Sequence, residues 1–526
     1  MTEKQETFAE RLARAMAAKG YKQADLIRIA GDRGMKLGKS QVSQYANGKT
    51  VPRRPVGEVL ADVLGVPAAW LMEGAGEIEP ETVSRGTADG VSRPASASQG
   101  AGGAAPAAGA HADASATPII DRTEPRSDTM REIKKSTKLD NVLYDVRGPV
   151  VEEAERMEEA GARILKLNIG NPAPFDFRAP EEMVFDMSRQ LAECEGYSSA
   201  KGLFSARKAI MQYAQLKHIQ GVDIDDVYTG NGVSELINLS MLALLDNGDE
   251  VLVPSPDYPL WTACVTLAGG TPLHYVCDEQ AEWYPDMDDI RKKITSRTKA
   301  LVIINPNNPT GSLYPREVLQ ELVDIAREHD LIIFSDEIYD RIVMDGLEHI
   351  SIASMRPTCS ASRSAACRSR TWWRGTASAG WCFRETGAAR DYILGVNMLC
   401  NMRMCSNVPA QSIVQTALGG HQSVQSYIVP GGRVYEQREY VYNALNDIPG
   451  VTAVKPKAGF YIFPKLDVKK FNITDDEKFA LDLLHEKRLL VVHGGGFNWK
   501  KPDHFRVVYL PRIEVLGDAM RDLGDF

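Results

Sequence analysis

Residues Lys299 to Asp340 constrain the fold more tightly than any other stretch of the chain. Ala300-Leu301-Val302-Ile303-Ile304 is a short, continuous apolar run rich in β-branched residues, the pattern of a strand buried on both faces. Asn305-Pro306-Asn307-Asn308-Pro309-Thr310-Gly311 follows as a turn, in which two prolines fix φ and leave the asparagine side chains free. Leu319, Leu322, Ile325 and Ala326 then recur at helical spacing. Leu331-Ile332-Ile333-Phe334 reads as a second buried strand, with Ser335-Asp336-Glu337-Ile338-Tyr339 at its carboxyl end. Strand, helix and strand make one βαβ unit, so the chain should contain a mainly parallel α/β sheet. Open sheets of this kind bind ligands outside the carboxyl ends of their strands, where Asn308 and Asp336 both fall. Alone, Asp336 reads as a helix cap and Asn308 as a turn closer. Together they mark a candidate site.

With 526 residues, the chain should hold more than one domain. A net charge of -9 argues against a protein that coats nucleic acid along its whole length. No run of 18 apolar residues and no basic-then-apolar leader is present, so a cytoplasmic protein with no membrane partner is expected. The eight cysteines are scattered and form no CxxC pair, which predicts neither a disulfide framework nor a metal site.

Residues 1–75 read as a compact helical module. Phe8, Leu12, Ala15 and Met16 give one apolar helix face, and a second helix starts at Gln23. In Lys39-Ser40-Gln41-Val42-Ser43-Gln44-Tyr45-Ala46-Asn47-Gly48-Lys49, only Val42 and Tyr45 face inward. A short helix with outward amides and hydroxyls suits base-edge readout in a major groove. Two further helical patterns cover Val56–Leu64 and Ala68–Met72. Twelve Lys and Arg against eight Asp and Glu make the module basic inside an acidic chain. The order resembles five-helix repressor-type (Cro/C1-like) helix-turn-helix domains. That resemblance implies DNA contacts from Ser40, Gln41, Ser43 and Gln44, with Lys39 and Lys49 on phosphates. A helical protein-interaction module is the plainer alternative. Residues 76–130, dominated by Ala, Gly, Ser, Pro and Thr, cannot pack a core and are expected to form a flexible linker.

From Arg131 to the end, several motifs come in a telling order. Tyr144-Asp145-Val146-Arg147-Gly148-Pro149 and Leu167-Asn168-Ile169-Gly170-Asn171-Pro172 precede Tyr197 and Lys201-Gly202-Leu203. Gly230-Asn231-Gly232-Val233-Ser234-Glu235 links a strand to a helix, where free amides suit a phosphate. Pro256-Asp257-Tyr258-Pro259 follows, then the βαβ unit, and finally Asp503-His504-Phe505-Arg506. This series resembles the class I (fold-type I) pyridoxal-phosphate aminotransferases, and within them the bacterial glutamate–pyruvate (alanine) group. The resemblance covers almost all of residues 131–526. It implies a large domain with a mainly parallel sheet, a small α+β domain and a homodimer.

The resemblance also implies the cofactor pyridoxal 5'-phosphate, amino-acid and 2-oxo-acid substrates, and roles for particular residues. Asp336 would face the pyridine nitrogen, Tyr339 and Asn308 the ring oxygen, and Tyr258 the ring face. Val233, Ser234 and Glu235 would lie at the phosphate, joined by Tyr197 from the second subunit. Gly170 would lie against the substrate carboxylate, which Arg506 would grip in a bidentate fork together with Asn308. A carboxylate at the ring nitrogen keeps it protonated, so that the ring can take electrons from the substrate Cα. Two other readings share the resemblance. One is a transcription regulator whose aminotransferase-like half senses pyridoxal phosphate or an amino acid. The other is a scaffold that binds the cofactor without turnover.

One required group is missing. The family carries its Schiff-base lysine some thirty residues after the Asp336 motif, yet no lysine occurs between Lys299 and Lys455. Residues 356–385 hold six Arg, three Cys and three Trp, with no Leu, Ile, Val or Lys, a composition that predicts loss of the buried strand expected there. The preserved length points to compensating frameshifts. If each codon from 367 to 380 starts on the third base of the one before, permitted codon choices turn the segment into Leu-Ser-Lys-Ser-Tyr-Met-Val-Ala-Gly-Tyr-Arg-Ile-Gly-Trp. That is the missing family motif, including its phosphate-gripping arginine. Its lysine codon straddles Arg368 and Ser369, so the catalytic lysine is expected near Ser369.

Overall fold

The computed structural model describes residues 6–32, 35, 37–52, 54–74, 133–140, 142, 144, 148–355, 366–369, 378–382 and 389–526. The expected linker 76–130, motif residues 145–147 and the remainder of 356–385 lie outside the described residues. The chain divides into two units, Met1–Pro125 and Arg126–Phe526.

The first unit is built from α1 (Phe8–Lys19), α2 (Gln23–Asp32), α3 (Lys39–Ala46), α4 (Arg54–Leu64) and α5 (Ala68–Glu73). Thr7 and Glu10 form a reciprocal capping box at the start of α1, and Gly20 ends it in the left-handed region that glycine favours. Phe8, Leu12, Leu26, Val42, Leu60 and Trp70 share one core. Arg11, also buried, donates to the carbonyls of Leu71 and Met72 and so fastens the first helix to the end of the last.

The second unit is centred on an eight-stranded sheet. Its strands are β1 (Val227–Asn231), β2 (Glu250–Ser255), β3 (Thr271–Asp278), β4 (Tyr284–Pro285), β5 (Thr298–Ile304), β6 (Ile332–Asp336), β7 (Ala366–Ser369) and β8 (Ser378–Cys382). They lie in the order β1-β8-β7-β6-β5-β2-β3-β4. The five strands β7, β6, β5, β2 and β3 run parallel, whereas β8 and β4 pair antiparallel with their neighbours. The apolar run on β5 divides between two cores. Ala300, Val302 and Ile304 pack with Val233, Leu236 and Ile237 of the helix Gly232–Leu244. Leu301 and Ile303 pack on the other face with Leu319, Leu322 and Ile325 of the helix Arg316–Glu328. The 2.0-residue period of the strand sends successive side chains to opposite faces, and helices cover both.

The expected loss of a strand within 356–385 is corrected by the structure. β7 and β8 both lie in the sheet, with Phe334 opposite Ala366, Ser335 opposite Cys367, and Val227 opposite Cys382. Composition misled because a ladder is made by backbone N–H and C=O groups, which every residue except proline supplies. No proline occurs between Pro357 and Pro409, and β6 and β1 present ready partners on either side.

A smaller α+β part follows. In it β9 (Tyr461–Ile462) and β10 (Val492–His493) both pair antiparallel with β11 (Phe505–Val508). Its core gathers Val434, Leu445, Leu483, Leu490, Val507 and Leu516. Among the described residues, no helix is long and apolar enough to cross a membrane.

Candidate active site

The site is assembled where β5 and β6 end. Ile304 pairs with Asp336, and the amide of Asn305 donates to the Asp336 carbonyl at 2.9 Å, so the two turns leave the sheet side by side. Asp336 is buried; its Oδ1 accepts from the Ile338 amide at 3.3 Å and its Oδ2 from the Trp261 indole at 3.4 Å. A buried carboxylate held by donors on two elements has a fixed direction, which is what a partner to a ring nitrogen requires. Asn308 is likewise buried, and its Oδ1 accepts from Nη1 of Arg506 at 2.9 Å.

Arg506 reaches the site from β11. Its Nη2 donates to the carbonyl of Asn168. Its guanidinium lies between two aromatic faces, 4.5 Å from the Tyr461 centroid and 4.6 Å from that of Phe497. Three residues earlier in the chain, Asp503 accepts from His504 Nδ1 at 2.7 Å and from the Trp499 indole at 2.8 Å. Burial alone would raise the Asp503 pKa, but these hydrogen bonds outweigh it and hold the carboxyl below its usual range.

Gly170 sits against Tyr461 too, together with Phe460. A Cβ there would fall 2.2 Å from both Phe460 Cε2 and Tyr461 Oη, so only glycine lets the backbone approach. Tyr339 is buried with its hydroxyl 2.9 Å from that of Tyr461. Tyr258 is half-buried, and its hydroxyl lies 2.8 Å from the Tyr144 hydroxyl. Val233, Ser234 and Glu235 occupy the first turn of Gly232–Leu244, whose leading amides have no partner within the helix itself. The Glu235 carboxylate is engaged elsewhere, accepting from the Asn231 amide at 2.7 Å and from Arg403 at 2.6 Å. Its side chain therefore secures the helix start. Tyr197 is 82 % exposed.

Asn308, Arg506, Gly170 and Tyr339 thus converge through Asn168 and Tyr461, beside Asp336. The aromatic faces under Arg506 went unanticipated, as did the Trp261 bond to Asp336. Asn168 belongs to the Leu167–Pro172 motif, but nothing in that motif says that its carbonyl takes the arginine. Ser369 closes β7, next to β6 and at the end of the sheet where Asp336 lies.

In the first unit, Lys39, Ser40, Gln41, Ser43 and Gln44 all lie on α3, and Lys49 follows it. Val42 and Tyr45 are buried as expected, while Lys39, Gln44 and Lys49 are exposed. Gln41 is half-buried, its amide donating to the Tyr45 hydroxyl at 2.8 Å; Ser43 accepts from Asn47 at 3.2 Å.

Residues 162–516 match the family described as Aminotransferase class I and II, and residues 7–71 match a Helix-turn-helix domain. The chain is 55 % identical over 399 residues to the glutamate-pyruvate aminotransferase AlaA of Haemophilus influenzae, covering 76 % of this chain and 98 % of that one. It is 51 % identical over 402 residues to the alanine aminotransferase of Mycobacterium tuberculosis, covering 75 % and 93 %. A solved aminotransferase structure from Escherichia coli superposes with a TM-score of 0.73 at 52 % identity, over 75 % of this chain and 98 % of that one.

Proposed function

The chain belongs to the class I and II aminotransferases, and from that premise we propose that its second unit is built to move an amino group between alanine and 2-oxoglutarate, a reaction open to it once the lysine missing from the chain as written is restored, while its first unit binds DNA. The observation that carries the substrate side is Arg506, buried and hydrogen-bonded to Asn308 and Asn168 beside Asp336. A guanidinium already aligned by two acceptors and two rings takes a carboxylate in a fork with little further ordering. Relatives at 51–55 % identity bear the names alanine or glutamate-pyruvate aminotransferase, which supports alanine and pyruvate as one substrate pair.

Pyridoxal 5'-phosphate, when bound, supplies an electron sink next to the substrate Cα. The residues present suit its ring: Asp336 would keep a proton on the ring nitrogen, Tyr258 would cover one face, and Tyr339 and Asn308 would hold the ring oxygen. The amides of Val233 and Ser234 would receive the phosphate at the helix start. The covalent anchor does not fit, because the lysine that would hold the cofactor and carry the Cα proton is absent from the chain as written. Alanine–oxoglutarate turnover, measured in the chain as written and with the shifted reading of 367–380 installed, tests this function directly.

A homodimer accompanies this reading. Tyr197 and Phe185 are exposed, as are Phe204 and Met402, which are large apolar side chains for a free surface. Tyr197 of a second copy would complete the phosphate site. Sedimentation should give a dimer, and a stable monomer that binds the cofactor tightly would count against the role of Tyr197.

For the first unit, Gln44 and Gln41 are the natural base readers on α3, with Lys39 and Lys49 flanking. One repressor-type head binds weakly, so two heads brought by the dimer would span two half-sites. Gln41→Ala and Gln44→Ala should each remove about 1–3 kcal/mol of discrimination at one base pair. An unchanged preference in a DNA selection experiment would reject the assignment.

A further inference from the structure

Asp257 is a fully buried carboxyl with no part in the chemistry described above. It precedes Tyr258, and three hydrogen bonds stitch its segment to one turn. The Asp257 amide donates to the Phe497 carbonyl at 3.0 Å, Asn498 Nδ2 donates to Asp257 Oδ1 at 2.6 Å, and Ser255 Oγ donates to the Asn498 carbonyl at 2.8 Å. Asn498 holds a left-handed conformation, φ 59°, at the end of the turn Gly494–Phe497. The Phe497 ring in that turn lies under the Arg506 guanidinium. The Asp257 carboxyl thus supplies one of the three bonds that join the loop bearing Tyr258 to the turn supporting Arg506. We propose that Asp257 is a positioning residue that sets the spacing between the aromatic cover at Tyr258 and the carboxylate fork at Arg506. This rests on the roles assigned to those two residues above.

The surroundings favour a neutral carboxyl. Burial pushes Asp257 up to about 8, against the lowering effect of its bonds from Asn498 and Thr262. Burial pushes three groups around it toward their neutral forms. Burial raises Tyr275 well above its usual value and Cys277 to about 12, and lowers His274 to about 4 with help from Lys500 and Lys293. Thr262 Oγ1 lies 2.9 Å from His274 Nε2 and 3.5 Å from Asp257 Oδ2. A neutral Asp257 accepts from Asn498 without placing an uncompensated charge in the core.

The sign of the pH effect follows. The folded pKa is raised, so this joint holds most firmly below the unfolded value near 4. It loosens as pH climbs toward about 8, then levels off. Hydrogen exchange read by mass spectrometry on the full chain tests the proposal. Asp257→Ala should speed exchange about tenfold in both Tyr258–Trp261 and Phe497–Trp499, the scale of one lost buried hydrogen bond. Asp257→Asn, which keeps a neutral acceptor for Asn498, should protect both segments and abolish their shared loosening between pH 5 and 8. A response in only one segment, or Asp257→Asn behaving like Asp257→Ala, would overturn the proposal. If Asp257→Ala does not fold, the pH series of the parent chain against Asp257→Asn decides, and a flat parent profile rejects it. Calorimetric titration with pyruvate probes the Arg506 reading separately. Failure to bind pyruvate would reject that reading and leave the exchange result standing by itself.

Discussion

Made from the sequence as written, the protein is expected to show no alanine–oxoglutarate transamination, and to gain it when residues 367–380 are replaced by the shifted reading. Lys299 lies at the far end of β5, paired with Asp249, and no lysine follows it before Lys455, so nothing from the strands around Asp336 can supply the amine. The backbone already provides its place. Phe334 and Ser335 on β6 face Ala366 and Cys367 on β7, which sets Ser369 just past the level of Asp336 on the adjacent strand. A lysine there would start at the end of the sheet where the other site residues gather. A single well-placed acid–base group contributes about 10²–10⁴-fold, and this one also anchors the cofactor, so the loss should reach the limit of detection. Borohydride reduction followed by peptide mass spectrometry checks the mechanism. A pyridoxyl adduct on some other lysine, together with turnover in the unaltered chain, would show that the role had moved. Resequencing codons 355 to 388 would show whether the gene itself carries the shifted reading.

In that restored chain, Arg506→Ala should weaken alanine and pyruvate while leaving the cofactor spectrum intact. A charge-assisted fork to a carboxylate in a closed site is worth about 1.5–3 kcal/mol, or roughly ten- to a hundred-fold in binding. The substitution also strips a donor from Asn308 Oδ1 and from the Asn168 carbonyl, both deep in the site. Arg506→Lys should recover little, because an ammonium cannot serve both acceptors, stack between Tyr461 and Phe497, and still present a planar fork. Unchanged Michaelis constants for alanine and pyruvate in Arg506→Ala would remove Arg506 from the substrate site.

The β5–helix–β6 unit was legible because buried parallel strands write themselves as apolar runs, and the turn residues between them are chemically distinctive. The inward pair Val42 and Tyr45 was legible for a similar reason, since helical spacing is local. Gln41 was less so: its half-buried amide answers to Tyr45, one turn along the same helix. β7 and β8 were illegible because their pairing comes from neighbouring backbones rather than from their own side chains. The support under Arg506 was hidden for another reason. Tyr461, Phe497 and Asn168 come from three separate segments, and only the folded chain brings them to one guanidinium.

Tyr461 also bears on how this site can drift. Its ring underlies Arg506, its hydroxyl meets that of Tyr339, and its outer edge occupies the space a side chain at Gly170 would need. Three positions far apart in the chain therefore share one residue, and changes among them will not add independently. A larger residue at 170 becomes tolerable only after Tyr461 has shrunk and Phe460 has given way as well. Shrinking Tyr461 first removes a face from the arginine and a partner from Tyr339. Sequence change must cross a weakened intermediate whichever step comes first, so these four positions should be inherited as a block.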